Sequence, residues 1–382
     1  MSDKMVNKEV WDNVALQQLE LPNQVVVQNR IWRAATWMGM ANPDGTVNDI
    51  VIDTYRKIKA GLVFSGFQYV SPEGKSLPGQ LSNSKPEDLQ GLKRLADAIH
   101  STGSIAGAQL VHCGRAANPI FWGGDVVFGP SDGEIPNATG GKNIVKAMTI
   151  KQIENVKQAY AEAAKRAVDA GFDVINVHGA HGYQLWQFFD PAMNKRPEDD
   201  PYTGRTIEGR SKAMIDAILA IKEVVDVPVC VKINSSSSGT RPEEVGELIK
   251  KIANAGACLA IISGDNATQN HKIVGEAYFL EEAIKIKEIV GDTNIFFALV
   301  GGIRSPETIL KLLTANKSKK AMFDAVLLSR PLISEPTLIE RWNFEAKTGI
   351  QTPARCISCT RCFEPVYSGK PIQCMSFKDE KS

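Results

Sequence analysis

Two imidazoles and a phenol fall within six residues, in His178-Gly-Ala-His181-Gly-Tyr183. Imidazoles can hydrogen-bond a carbonyl or an anion, and a phenol with a pKa near 10 stays protonated at neutral pH and can deliver a proton. The same spacing allows a packing histidine beside a surface one, and a metal reading needs a third ligand that an H-x-x-H run does not supply. Lys232 interrupts the apolar run VPVCVKINS. Lysine is seldom buried unless paired or functional, so it reads as a Schiff-base nucleophile or as a fixed cation facing a cofactor. Gln109 interrupts a second apolar run, SIAGAQLVH. A buried amide needs both a donor and an acceptor, and the edge of a planar heterocycle offers both. Gly301-Gly302 and Ser329-Arg330 are two further pairs. Glycines let backbone N–H groups approach an anion and a guanidinium grips it bidentately, which describes a phosphate site; the plainer reading is a tight turn and a surface arginine.

A separate cluster closes the chain. Four of the seven cysteines lie within the last 27 residues, as Cys356-x-x-Cys359-x-x-Cys362 followed by Cys374. Four close-spaced thiols suit a [4Fe–4S] cluster or a structural zinc; the alternative is free thiols in a structural loop. Cys113, Cys230 and Cys258 are scattered singly in apolar surroundings, unlike an extracellular disulfide framework.

These residues must be positioned by repeating elements. Short apolar runs occupy 31–36, 61–70, 104–112, 172–179, 227–235, 257–264, 294–302 and 323–331. Most are continuously apolar, as strands buried on both faces should be. Amphipathic helical patterns separate them. The pattern over 149–170 has Thr149 as a candidate N-cap and Gly171 as its stop; others open at Pro242, Pro306 and Pro336. Eight strand–helix alternations predict an α/β fold, a (β/α)8 TIM barrel, with a short C-terminal cysteine-rich segment. The doubly wound alternative lacks a G-x-G-x-x-G after the first strand. The division expected is 1–350 barrel and 351–382 cysteine-rich segment. In such a barrel chemistry sits at the C-terminal strand ends. Those ends carry Thr36, Trp37, Gly66, Gln109, His112, Arg115, His178, His181, Tyr183, Lys232, Asn234, Gly264, Gly301, Gly302, Ser329 and Arg330.

Composition narrows the classes. In 382 residues, 44 Lys and Arg face 43 Asp and Glu, a formal charge of +1 that leaves no basic footprint for nucleic acid. No apolar run reaches the ~18 residues of a membrane span. The N-terminus, MSDKMVNKEVWDNV, lacks a signal-peptide core. A cytoplasmic protein is expected, with no nucleic-acid or membrane partner and with a homo-oligomeric assembly. Loops 113–148 and 265–280 carry no readable substrate code.

NRIWRAATWMGM, GAQLVHCGR, GFDVINVHGAHGYQLWQFFDPAMNKR, VKIN, LVGGIRSPE and LLSRPLISEP, in this order, resemble the old yellow enzyme family of FMN-dependent oxidoreductases. CISCTRCFEP with GKPIQC is similar to the branch holding 2,4-dienoyl-CoA reductase and trimethylamine dehydrogenase. The resemblance implies FMN at the barrel mouth. Its phosphate would lie on Gly301, Gly302, Ser329 and Arg330, its pyrimidine edge on Gln109, and its N1/O2 side against Lys232. Thr36, Trp37 and Gly66 join this cofactor set, with Trp37 standing where many members have threonine or cysteine. His178 and His181 would bind the carbonyl oxygen of an α,β-unsaturated substrate and Tyr183 would protonate its α-carbon, with NADH or NADPH as electron donor. Cys356, Cys359, Cys362 and Cys374 would hold the cluster. The sequence ends at Ser382, so a separate electron-donor reductase is expected if a cluster is present. Two other functions stay open: an electron-transfer subunit using FMN and a [4Fe–4S] cluster, and a flavin-free Schiff-base lyase using Lys232.

Overall fold

In the computed structural model, residues 8–136, 141–265, 275–314 and 321–377 are described. The polar start of the chain, parts of loops 113–148 and 265–280, and the last residues of the cysteine-rich segment lie outside them. Eight parallel strands close into a barrel in sequential order. We number them β1 (Ile31–Arg33), β2 (Leu62–Tyr69), β3 (Ile105–Val111), β4 (Val174–Gly179), β5 (Val229–Asn234), β6 (Leu259–Ser263), β7 (Phe296–Val300) and β8 (Ala325–Leu328). All eight fall inside the predicted apolar runs. The helices that cross between them are α1 (Asp49–Tyr55), α2 (Leu89–His100), α3 (Ile150–Asp169), α4 (Ile207–Val224), α5 (Pro242–Asn254), α6 (Leu280–Val290) and α7 (Pro306–Leu313), and α8 (Leu338–Ala346) follows β8. Each parallel crossover requires such a covering element, and the strands are buried on both faces because of it.

Helix ends follow local chemistry. The Thr149 hydroxyl accepts from the Gln152 N–H (3.2 Å) while Gln152 Oε1 accepts from the Thr149 N–H (2.9 Å), a reciprocal cap that starts α3. Gly171 takes φ +95° just past its end. α5 and α7 open on Pro242 and Pro306 as expected, but α8 starts at Leu338, two residues beyond Pro336.

Three features were not anticipated. A hairpin, Leu19–Leu21 paired with Val25–Val27, puts Leu19, Leu21 and Val27 into the same apolar cluster as Trp32, Phe64, Leu259 and Leu327, and so covers the barrel end opposite the tips. A three-stranded sheet (Val126–Gly129, Gly133–Pro136, Lys142–Ala147) interrupts the connection after β3. The cysteine-rich segment is not a separate body: Ala354, Cys362, Val366 and Ile372 are buried within the main core. Among the described residues no helix is long and apolar enough to cross a membrane.

Candidate active site

A cavity of about 500 Å³ opens at the C-terminal strand ends, in the size range of small-molecule sites. It is lined by Thr36, Trp37, Gln109, His178, His181, Tyr183, Lys232, Gly301, Gly302, Ser329 and Arg330, so the strand tips bring the sequence-derived residues together. Gly66 is the exception among the cofactor candidates. A Cβ there would sit 2.7 Å from the Thr36 carbonyl oxygen, and its N–H donates to Tyr55 Oη at 2.6 Å. Gly66 therefore lets β2 pass behind the first strand tip and does not face the cavity. His112, Arg115, Asn234 and Gly264 also lie off the lining.

Lys232 projects from β5 and is almost fully buried. Its Nζ has no hydrogen bond or ion pair among the described residues. Burial lowers its pKa to about 8, so at neutral pH an unpaired ammonium faces the cavity. Gln109, on β3, donates through Nε2 to Asn176 Oδ1 at 2.7 Å, and its carbonyl oxygen has no partner among the described residues.

His178 ends β4 and His181 follows in a turn, at φ +58°. The His181 N–H donates to Asn234 Oδ1 at 3.1 Å, which secures that uncommon backbone conformation. His181 Nε2 and Ser263 Oγ, from the tip of β6, are 2.8 Å apart. The Ala180 N–H donates to His178 Nδ1 at 3.3 Å, leaving Nε2 as the protonated nitrogen of the neutral ring. Both histidines are held well below their ordinary pKa, by burial first and then by the Lys232 charge. They are neutral donors at pH 7. The Tyr183 ring packs edge-on to His178, centroids 4.9 Å apart. Burial pushes its phenol far up, so the proton stays on oxygen. Phe67 leans on both rings. It gets there through an irregularity in β2, where the register with β3 shifts between Ser65 and Gln68.

At the other end of the cavity, Arg330 Nη1 donates to the Ser358 carbonyl (3.2 Å) and Nη2 to Tyr278 Oη (3.1 Å). Ser329 Oγ and Thr36 Oγ1 are 2.7 Å apart. Gly301 and Gly302 take φ +141° and +68°. Arg33, buried in β1, donates to the Ser329 carbonyl at 2.7 Å and ties β1 to the β8 turn. Sequence reasoning passed over Arg33, although a charge inside an apolar strand is the signal that flagged Lys232. Phe363 stacks on Trp37 (centroids 6.2 Å, planes 8° apart), making the cysteine-rich segment one wall of the cavity.

The four C-terminal cysteines border one small cavity that Arg330 also lines. Burial, with Cys356 next, pushes the Cys362 thiol up to about 11. Among the described residues no group of three His, Cys, Asp or Glu side chains is placed to hold a metal ion. The thiols as placed do not fit a single ion.

A closed parallel barrel thus carries a tip cavity lined by a lysine, an amide, two neutral histidines, a phenol and a Gly-Gly/arginine set, a donor-rich site able to take an anionic or carbonyl-bearing ligand. Residues 19–348 match the model of the NADH:flavin oxidoreductase / NADH oxidase family, and the chain belongs to that family. It is 31% identical over 350 residues to an NADH oxidase of Thermoanaerobacter brockii, covering 88% of this chain and 51% of that protein, so the chain spans about half its length. Its fold is similar to that of 2-naphthoyl-CoA reductase (TM-score 0.82, 23% identity, 96% of this chain and 57% of that one). It is also similar to an old yellow enzyme homologue from Zymomonas mobilis (TM-score 0.75, 22% identity, 90% of this chain and 96% of that one).

Proposed function

We propose that the chain binds FMN in the tip cavity, takes reducing equivalents from NADH or NADPH, and reduces the activated C=C bond of an α,β-unsaturated carbonyl compound. The observation that carries this is one cavity lined by both the buried, unpaired Lys232 ammonium and the unpartnered Gln109 carbonyl, together with a neutral histidine pair and a protonated tyrosine. A heterocycle edge with its own N–H and a partly negative oxygen would satisfy both orphaned groups. Gly302, Ser329 and Arg330 would hold the phosphate. FMN, when bound, supplies storage of two electrons and their delivery as hydride.

The remaining chemistry belongs to the chain. His178 and His181 donate hydrogen bonds to the substrate carbonyl oxygen. Being neutral, they polarise it without surrendering a proton. This draws electron density from the alkene and makes its β-carbon electrophilic. Tyr183 passes its phenolic proton to the α-carbon, so one hydride and one proton together saturate the bond; the phenolate is then reprotonated from water. Proton delivery of this kind contributes about 10²–10⁴-fold. Ser263 fixes the His181 ring, and Asn234 fixes its backbone.

The test is anaerobic turnover of FMN-loaded protein with NADH or NADPH and a cyclic enone. Loss of the enone double bond matching nicotinamide oxidation supports the reading; nicotinamide oxidation with the enone untouched refutes ene-reduction. One observation favours the Schiff-base lyase: a lysine lowered to about 8 is also a nucleophile at neutral pH. Borohydride trapping of a carbonyl substrate on Lys232 would establish that alternative. A cluster on the four cysteines, with its separate reductase, is tested by iron and sulfide analysis of anaerobically purified protein.

A further inference from the structure

The phosphate end of the cavity holds one side chain that the reading above leaves unused. Tyr278 lies just before α6 and lines the cavity. A Cβ built on Gly302 would meet its ring at 2.2 Å, and one on Gly301 would meet the Phe279 ring at 2.8 Å. The glycine pair is therefore required by this aromatic cover as well as by its positive φ angles. Tyr278 and Phe279 pack edge-to-face, centroids 4.9 Å apart, which fixes the plane of the phenol.

The phenol oxygen accepts from Arg330 Nη2 at 3.1 Å, and the other Arg330 terminal nitrogen donates to the Ser358 carbonyl at 3.2 Å. No carboxylate pairs with Arg330 among the described residues. The guanidinium is thus held between two neutral oxygens, and its charge is left uncompensated. The phenol in turn has a proton to donate and no acceptor among the described residues. A phenol donor and an uncompensated cation thus meet beside the positive-φ glycine pair, and an anionic oxygen cluster would satisfy both together.

Resting on the flavin reading above, we propose that Tyr278 is a phosphate ligand: it positions Arg330 through its oxygen and donates its phenolic hydrogen bond to the terminal phosphate of FMN. The ring stays over Gly302 as the outer wall of the phosphate seat.

The experiment compares binding of FMN and of riboflavin, which lacks the phosphate, to cofactor-stripped wild-type protein and to Tyr278→Phe, by quenching of flavin fluorescence. Phenylalanine keeps the ring over Gly302 and removes only the oxygen. FMN affinity should fall between about tenfold and about a hundredfold, the range for a hydrogen bond to a charged group, while riboflavin affinity holds. The ³¹P resonance of bound FMN should also shift in the variant. Unchanged or tighter FMN binding would show that the ring merely obstructs the seat and would overturn the proposal. Equal loss for both flavins would make Tyr278 a support for cavity shape and would overturn it as well. Wild-type protein that binds neither flavin refutes the flavin reading itself, and this assignment with it.

Discussion

Replacing Lys232 with methionine should move two properties in opposite directions. The native protein carries the ammonium buried and unpaired, with its pKa lowered from 10.5 to about 8. Below pH 8 that charge is bound in both folded and unfolded states, and the folded state bears the full desolvation cost. A lowering of about 2.5 units corresponds to roughly 3 kcal/mol. Methionine fills a similar volume without charge. Cofactor-stripped Lys232→Met should therefore be more stable than wild type at pH 7, by up to about 3 kcal/mol in urea unfolding. The sign reverses with pH. Between 8 and 10.5 the unfolded chain holds the proton and the folded one does not, so wild-type stability rises with pH and the gap to the variant closes. FMN affinity at pH 7 should move the other way, weakening by one to two orders of magnitude as the cation facing the ring is lost. An equally stable or less stable variant, or a gap indifferent to pH, would refute the claim that Lys232 is an unpaired buried cation.

Other outcomes follow from the same geometry. Tyr183→Phe should slow enone reduction by about 10²-fold or more while leaving reduction of the bound flavin by NAD(P)H intact, as stopped-flow separation of the two half-reactions would show. His178 and His181 are held well below their ordinary pKa, so the unfolded chain takes up protons first on acidification. Stability should be flat between about pH 6.5 and 7.5 and fall below that, and a His178→Gln/His181→Asn double variant should lose a large part of that slope in urea unfolding between pH 7.5 and 5, the buried His112, lowered to about 4, keeping the rest. Gly66→Ala would place a methyl 2.7 Å from the Thr36 carbonyl oxygen. It should cost about 1–3 kcal/mol of stability with FMN affinity nearly unchanged, because Gly66 lies outside the cavity.

The barrel was legible because most strands are apolar runs and several helices carry a clear period and start signal, as Thr149 does for α3 and Pro306 for α7. The candidate residues were legible for a related reason: a polar group inside an apolar strand, such as Lys232 or Gln109, has to be explained. Strand-tip reasoning cannot tell which of two successive residues faces inward. It placed Gly66 in the cavity, whereas the irregularity in β2 turns Phe67 there instead. Tyr278 and Phe363 lay beyond reach, since each sits in an irregular segment whose approach to the tips is set by tertiary packing. Arg33 gave a signal like that of Lys232, but its role is to tie β1 to the β8 turn through the Ser329 carbonyl, a link between strands far apart in sequence. The hairpin under the barrel uses strands too short for a periodic pattern.

The central claim is that the tip cavity is a flavin site. The most direct measurement is isothermal titration of cofactor-stripped protein with FMN, alongside the Lys232→Met and Gln109→Ala variants. One FMN per chain is expected, with weaker binding in both variants. Failure of the wild-type protein to take up FMN, or uptake indifferent to both substitutions, would contradict it.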